Sequence, residues 1–204
     1  MEEKITFNPG TAIITATASG SQTPPTAQRP ETVINGDFEI SSNNNVATTV
    51  GDGLDERTVW TFDFTQDPEV LAFRGAESIT GATLILELKA IGGANTDTTG
   101  VEGLTKFVDS PAIKNLPPNE VKQITINLLD NDNAYTSEEI LGALQGGEFG
   151  KFPMYYDDDA IVSGASLELS GEITTKTIVG TPGDDFLFGL SEDTLVYGLE
   201  GDDR

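Results

Sequence analysis

The chain has 204 residues, enough for one substantial domain and an appendage, and its 37% hydrophobic content permits a core. Its 34 Asp and Glu against 11 Lys and Arg leave a net charge of −23, which repels phosphate backbones and anionic membrane surfaces and makes divalent cations the natural partners. With no His and no Cys, there can be no histidine-based nucleophile system, no disulfide and no imidazole or thiolate zinc site, so carboxylates, Lys, Tyr and Ser remain for any chemistry.

The start, Met1-Glu2-Glu3-Lys4-Ile5, lacks the apolar run of a secretory signal, and no stretch approaches the roughly 20 apolar residues of a membrane span. Residues 5–18, with Ile13, Ile14 and alternating Thr and Ala, read as one or two modest strands around the turn signal Asn8-Pro9-Gly10. From Ser19 to Pro30 the composition is that of a linker, so residues 1–30 are expected to stand apart from a main domain spanning 31–172.

Within that domain, Trp60, Phe62 and Phe64 alternate with Thr61 and Asp63, which predicts a half-buried strand over 57–65 with Trp60 in the core rather than serving as a sugar platform. Leu84, Leu86 and Leu88 on one face and Thr83, Glu87 and Lys89 on the other mark the clearest strand, 82–91. A polar loop is expected over 92–103, and a turn at Leu116-Pro117-Pro118-Asn119 precedes a strand over 121–129. Thr136-Ser137-Glu138-Glu139 is a capping-box signature and predicts a short helix over 137–145, ended by Gly146-Gly147. Residues 155–170 read as a strand pair or one bent strand broken near Ser163-Gly164, with Ala165, Leu167 and Leu169 inward. Strands separated by polar turns around a single short helix predict a mainly β fold, a β-sandwich.

The phrase Asn35-Gly36-Asp37-Phe38-Glu39 resembles openings of galactose-binding-like jelly rolls, which implies a jelly-roll β-sandwich and carbohydrate or a cell-surface polymer as a ligand. Three acidic stretches bear on cation binding. Asp130-Asn131-Asp132-Asn133 departs from an EF-hand loop at Ala134, Tyr135 and Leu141 and reads as a solvated turn. Asp157-Asp158-Asp159 and the stretch from Asp52 to Asp55 each read either as solvated charge or as a surface calcium site. For an enzyme, a carboxylate pair across a cleft would be needed, with Asp63, Glu87 and Asp159 as nominal candidates in a carbohydrate-active enzyme or its accessory domain. None has a sequence context that marks it, and a non-enzymatic module is the favoured reading.

At the C-terminus, glycines 180, 189 and 198 recur at a spacing of nine, and Gly-x-x-Gly-Asp-Asp at 180–185 returns at 198–203. Phe186, Leu187, Phe188, Leu195, Val196 and Tyr197 fall at repeat-matched positions, which a merely disordered acidic tail would have no reason to place. The stretch resembles the nonapeptide repeats of RTX (hemolysin-type calcium-binding) proteins, which coil as a parallel β-roll. The resemblance implies that residues 178–204 begin such a roll, with Leu187 inward and eighteen residues making one full coil. It further implies that Gly180, Gly183 and Asp185 on one turn and Gly198, Gly201 and Asp203 on the next share an edge and hold Ca²⁺. The middle repeat departs from the pattern, with Glu192 where a Gly belongs and Thr194 at the Asp position. The resemblance implies, finally, an extracellular or cell-surface protein exported by a type I system that reads an uncleaved C-terminal signal.

Overall fold

The computed structural model describes residues 4–74, 76–92, 96–129, 135–179 and 194–197. In chain order its strands are β1 (Lys4–Ser19), β2 (Ala27–Gln28), β3 (Val33–Asn35), β4 (Phe38–Ser42), β5 (Thr49–Val50), β6 (Glu56–Asp63), β7 (Ser78–Ala90), β8 (Thr98–Val101), β9 (Val121–Asn127), β10 (Lys151–Asp158), β11 (Ala160–Val179) and β12 (Thr194–Tyr197). Among the described residues two α-helices, α1 (Pro111–Lys114) and α2 (Ser137–Gln145), and two short 3-10 helices, Asn43–Asn45 and Val70–Arg74, interrupt them. The fold is mainly β with antiparallel sheets. One sheet runs β1-β11-β7-β9, with β12 beside the end of β11; the other runs β3-β4-β6-β10-β8; β2 and β5 form a small separate pair.

The two large sheets face one another in a sandwich-like arrangement, because each strand turns alternate apolar residues to a common interior. Ile14, Leu84, Leu86, Leu88, Leu167 and Leu169 come from the first sheet, and Phe38, Trp60, Phe62, Phe152, Met154 and Tyr156 from the second, all in one cluster. Trp60 takes the expected core position, edge-on to Phe38 and Phe62 at centroid distances of 5.6 and 6.0 Å. At one end α2 closes the core with Ile140 and Leu144, and its capping box is complete: Thr136 Oγ1 accepts from the Glu139 N–H while Glu139 accepts from the Thr136 N–H.

Three expectations need correction. The first 30 residues do not stand apart, because β1 pairs with β11 from Lys4↔Val179 to Ser19↔Gly164 and buries Ala12, Ile14, Ala16 and Ala18 in the shared core. Pro9 does not break it; β1 lies at the sheet edge, where a residue without an N–H costs no ladder bond. Second, the polar stretch 92–103 contains β8, paired with β10 from Thr98↔Asp157 to Val101↔Met154. The Thr99 hydroxyl is buried by donating to the Tyr155 carbonyl at 2.7 Å, which lets a Thr-rich segment enter the sheet. Third, the break between the last two long strands falls at Asp159, and Ser163-Gly164 instead marks a register shift of β11 against β7.

The outer edge of β1 is capped by side chains. The Ile13 N–H donates to Glu69 Oε2 at 3.1 Å, the Thr15 N–H to Asp67 Oδ2 at 3.2 Å and the Ser19 N–H to Asp37 Oδ2 at 2.8 Å. Those carboxylates occupy donors that would otherwise recruit a foreign strand.

Candidate functional site

Two acidic stretches separated by about a hundred residues in the chain meet at one end of the sandwich. The loop 51–55 is folded back by Gly51 at φ 96° and Gly53 at φ 85°, and it ends with Asp55 at φ 53°. At Gly53 a β-carbon would come within 2.6 Å of Ile91 and 2.9 Å of Ile161, so the close approach requires glycine. The loop is tied down by Glu56, buried at the start of β6, whose Oε1 accepts the N–H groups of Gly51 and, at 2.9 Å, Asp52. Burial pushes the Glu56 carboxyl up to about 7 against the pull of those N–H groups.

The partner segment is the turn between β10 and β11. Asp159 Oδ1 accepts the Asp55 N–H at 2.9 Å, and Asn43 reaches Asp158 Oδ1 with its side-chain amide at 3.4 Å. One carboxylate oxygen each from Asp55, Asp158 and Asp159 lie within 4.8 Å of one another, close enough to share a metal ion. Behind them stands Asp97, immediately before β8 and fully buried. Its Oδ2 accepts the Tyr156 hydroxyl at 2.8 Å and the Asp159 N–H also acts on the carboxylate, whereas its Oδ1 has no hydrogen bond of good geometry among the described residues. Burial pushes Asp97 up to about 6; Tyr156 and the Asp159 N–H oppose the shift, and the charges of Asp159 and Asp158 add to it. Asp158 is raised for similar reasons, burial first, with Asn43 opposing and Asp159 and Asp55 adding.

On the outer face of the second sheet, Arg57 binds Asp157 and Glu102, each at 2.8 Å, and lies 3.9 Å over the Tyr155 ring. Burial leads in pushing Asp157 up to about 6, with Arg57 opposing. Beside this network a cavity of about 720 Å³ opens between the sheet and α2, lined among others by Thr61, Glu102, Leu104, Gly142, Lys151 and Pro153.

The nominal catalytic carboxylates are not brought together. Asp63 pairs with Lys151 on the outer face of the second sheet and is held low, at about 2, chiefly by that lysine. Glu87 lies on the outer face of the first sheet, accepting from Ser163 Oγ at 2.6 Å and Gln22 Nε2 at 3.3 Å, and Asp159 is at the sandwich end. Gly180, Gly183, Asp185, Gly198, Gly201 and Asp203, like the stretch 130–134, lie outside the described residues. Asp97 was missed by sequence reasoning, because an isolated Asp in a polar stretch carries no periodic signal. No helix among the described residues is long and apolar enough to cross a membrane. No protein-family model, curated protein or solved structure matches this chain.

Proposed function

We propose that the chain is an exported, non-enzymatic binding or structural module, lectin-like or adhesin-like, in which a jelly-roll sandwich continues directly into a calcium-binding roll. The observation that carries this reading is the register of β12 on β11. The two strands are parallel, and Lys176 faces Thr194, Thr177 faces Leu195, Ile178 faces Val196 and Val179 faces Tyr197. Each residue therefore pairs with the one eighteen positions on, which is two nonapeptides and one coil of the roll that the glycine spacing suggests. β11 runs unbroken from Ala160 to Val179, which supports a reading in which the last strand of the sandwich would also serve as the first strand of that coil.

Strand order supports the jelly-roll part. With the β3–β4 hairpin, the β2–β5 pair and β12 set aside, the remaining seven strands and the segment at Val108, which bridges to Thr99, number eight along the chain. The first sheet then reads 1-8-3-6 and the second 2-7-4-5, the order of two interleaved Greek keys. Such sandwiches host lectin domains as well as other functions, so the ligand class, carbohydrate or a cell-surface polymer, rests on this analogy. In the tail, carbonyls and the carboxylates of Asp185 and Asp203 would supply the hard oxygen shell that suits Ca²⁺, and binding free energy would become folding free energy for the roll.

The test is a calcium titration of the full chain and of Asp185→Ala, following amide exchange over 176–204. Protection that appears with calcium in the wild type and is lost in the variant is expected. Equal protection with and without calcium, or an unchanged response in the variant, would overturn the reading. A glycan array probed at saturating calcium then reports the ligand of the sandwich.

A further inference from the structure

We propose that Asp55, Asp158 and Asp159, backed by Asp97, form a divalent-cation site inside the folded sandwich, independent of the C-terminal repeats and selective for calcium. Oxygens bound to one calcium at about 2.3–2.6 Å can be no more than about 5 Å apart. The three carboxylate oxygens, within 4.8 Å of one another, meet that limit without rearrangement. Acidic residues gathered on a surface are common, and the cluster alone would carry little. The second observation is Asp97: a fully buried carboxylate close enough to Asp158 and Asp159 to feel their charges, whose Oδ1 has no hydrogen bond of good geometry among the described residues. A buried polar atom without a partner is costly, and the three clustered carboxylates repel one another and Asp97 behind them.

Among the described residues no Lys or Arg forms an ion pair with Asp55, Asp97, Asp158 or Asp159; the nearest paired cation in sequence, Arg57, is engaged by Asp157 and Glu102. The donors present, Asn43, Tyr156 and the N–H groups of Asp55 and Asp159, are neutral. Gly92 keeps the space open: a β-carbon there would stand 2.8 Å from Asp159 Oδ2. All the available ligands are oxygens, in a chain without His or Cys, which selects a hard cation. Carboxylates from a glycine-bent loop and a strand turn suit the irregular shell of calcium better than the strict octahedron of magnesium. The ion would join the 51–55 loop, the start of β8 and the β10–β11 turn, segments distant in the chain, and so lock the end of the sandwich.

The experiment uses the full chain carrying Asp185→Ala and Asp203→Ala, which removes the tail ligands. Tb³⁺ is titrated with excitation of tyrosine, because Tyr156 touches Asp97 and should sensitise emission; Ca²⁺ and Mg²⁺ then compete. We expect one saturable site in this tail variant, displaced by micromolar to millimolar Ca²⁺ and at least tenfold less well by Mg²⁺, and a melting temperature several degrees higher in calcium. Adding Asp158→Asn and Asp159→Asn should abolish sensitised emission and the calcium-dependent melting shift, with far-UV circular dichroism unchanged. Should that variant misfold, Asp55→Asn, in the surface loop, replaces it and should weaken binding at least tenfold. A tail variant that binds no cation at 10-fold molar excess over about 1 mM protein, or Asn variants that bind as tightly as their parent, would sink the site and leave the reading of the tail untouched.

Discussion

The Tyr156 hydroxyl stands 2.8 Å from Asp97 Oδ2, and the two side chains together expose almost no surface. The phenol is a side-chain donor to a carboxylate placed where water cannot replace it. Tyr156→Phe keeps the ring and its packing but strips that donor, so the variant should lose about 1–3 kcal/mol. Urea unfolding would show this as a lower midpoint at unchanged slope. A loss under about 0.5 kcal/mol would mean that the buried carboxyl is satisfied in another way.

Glu56 should make stability fall with rising pH over a defined interval. Burial raises its folded value from 4.5 to about 7, so between those values the folded state holds the proton more firmly than the unfolded chain does. Its contribution is therefore most favourable below about 4.5, declines as pH rises through about 7 and is level above that, with a span of about 3 kcal/mol. Glu56→Gln keeps an oxygen for the Gly51 and Asp52 N–H groups and removes the titration. The variant should gain on the wild type between pH 5 and 8 in denaturation measured without added cations, and a difference that does not change with pH would contradict the assignment.

Thr136→Ala removes one half of the capping box of α2 and should cost about 1 kcal/mol. Glu139→Gln keeps the reciprocal acceptor and loses the 2.8 Å ion pair to Lys106, which is partly exposed, so its cost should be under about 1 kcal/mol. Chemical denaturation of both variants checks the order. Reversal of that order would assign α2 to the ion pair rather than to its cap.

Gly36 occupies the first position of the two-residue loop that joins β3 to β4, at φ 64°, and a β-carbon there would stand 2.1 Å from the Ser19 carbonyl oxygen. Gly36→Ala should therefore cost more than the roughly 1 kcal/mol of an ordinary strained turn, because the contact is with backbone that cannot swing aside. Gly142→Ala, on α2 with open space around its α-carbon, should instead be neutral or stabilising. Thermal unfolding of the pair separates crowding from a general intolerance of substitution.

What could be read from the sequence followed the strength of the local signal. Leu84, Leu86 and Leu88 announce β7 by large side chains at period two, and Thr136 with Glu139 marks the start of α2, which runs from Ser137 to Gln145 as expected. β1 was only half legible, because its buried face is mostly Ala12, Ala16 and Ala18, whose small side chains barely contrast with the Thr residues between them. β8 was hidden, since Thr99 is buried through a hydrogen bond rather than by apolarity. The acidic end of the sandwich was visible as two separate runs, 52–55 and 157–159, but their meeting and the addition of Asp97 are products of tertiary pairing. Nothing in either run records how far β10 and the loop before β6 will travel to reach each other.

β11 is flanked by β1 from Gly164 to Val179 and by β7 from Ala160 to Glu172, so both neighbours hold it from Gly164 to Glu172. Tension entering from the C-terminal end of β11 would act along the strand axis. The ladder bonds to both neighbours would then be sheared together, sharing the load, instead of being unzipped one at a time. With β1 spanning sixteen residues of the pairing, the strand is held like a splice between two fibres. A module tethered through its C-terminus would in this way meet mechanical pull in its most resistant direction.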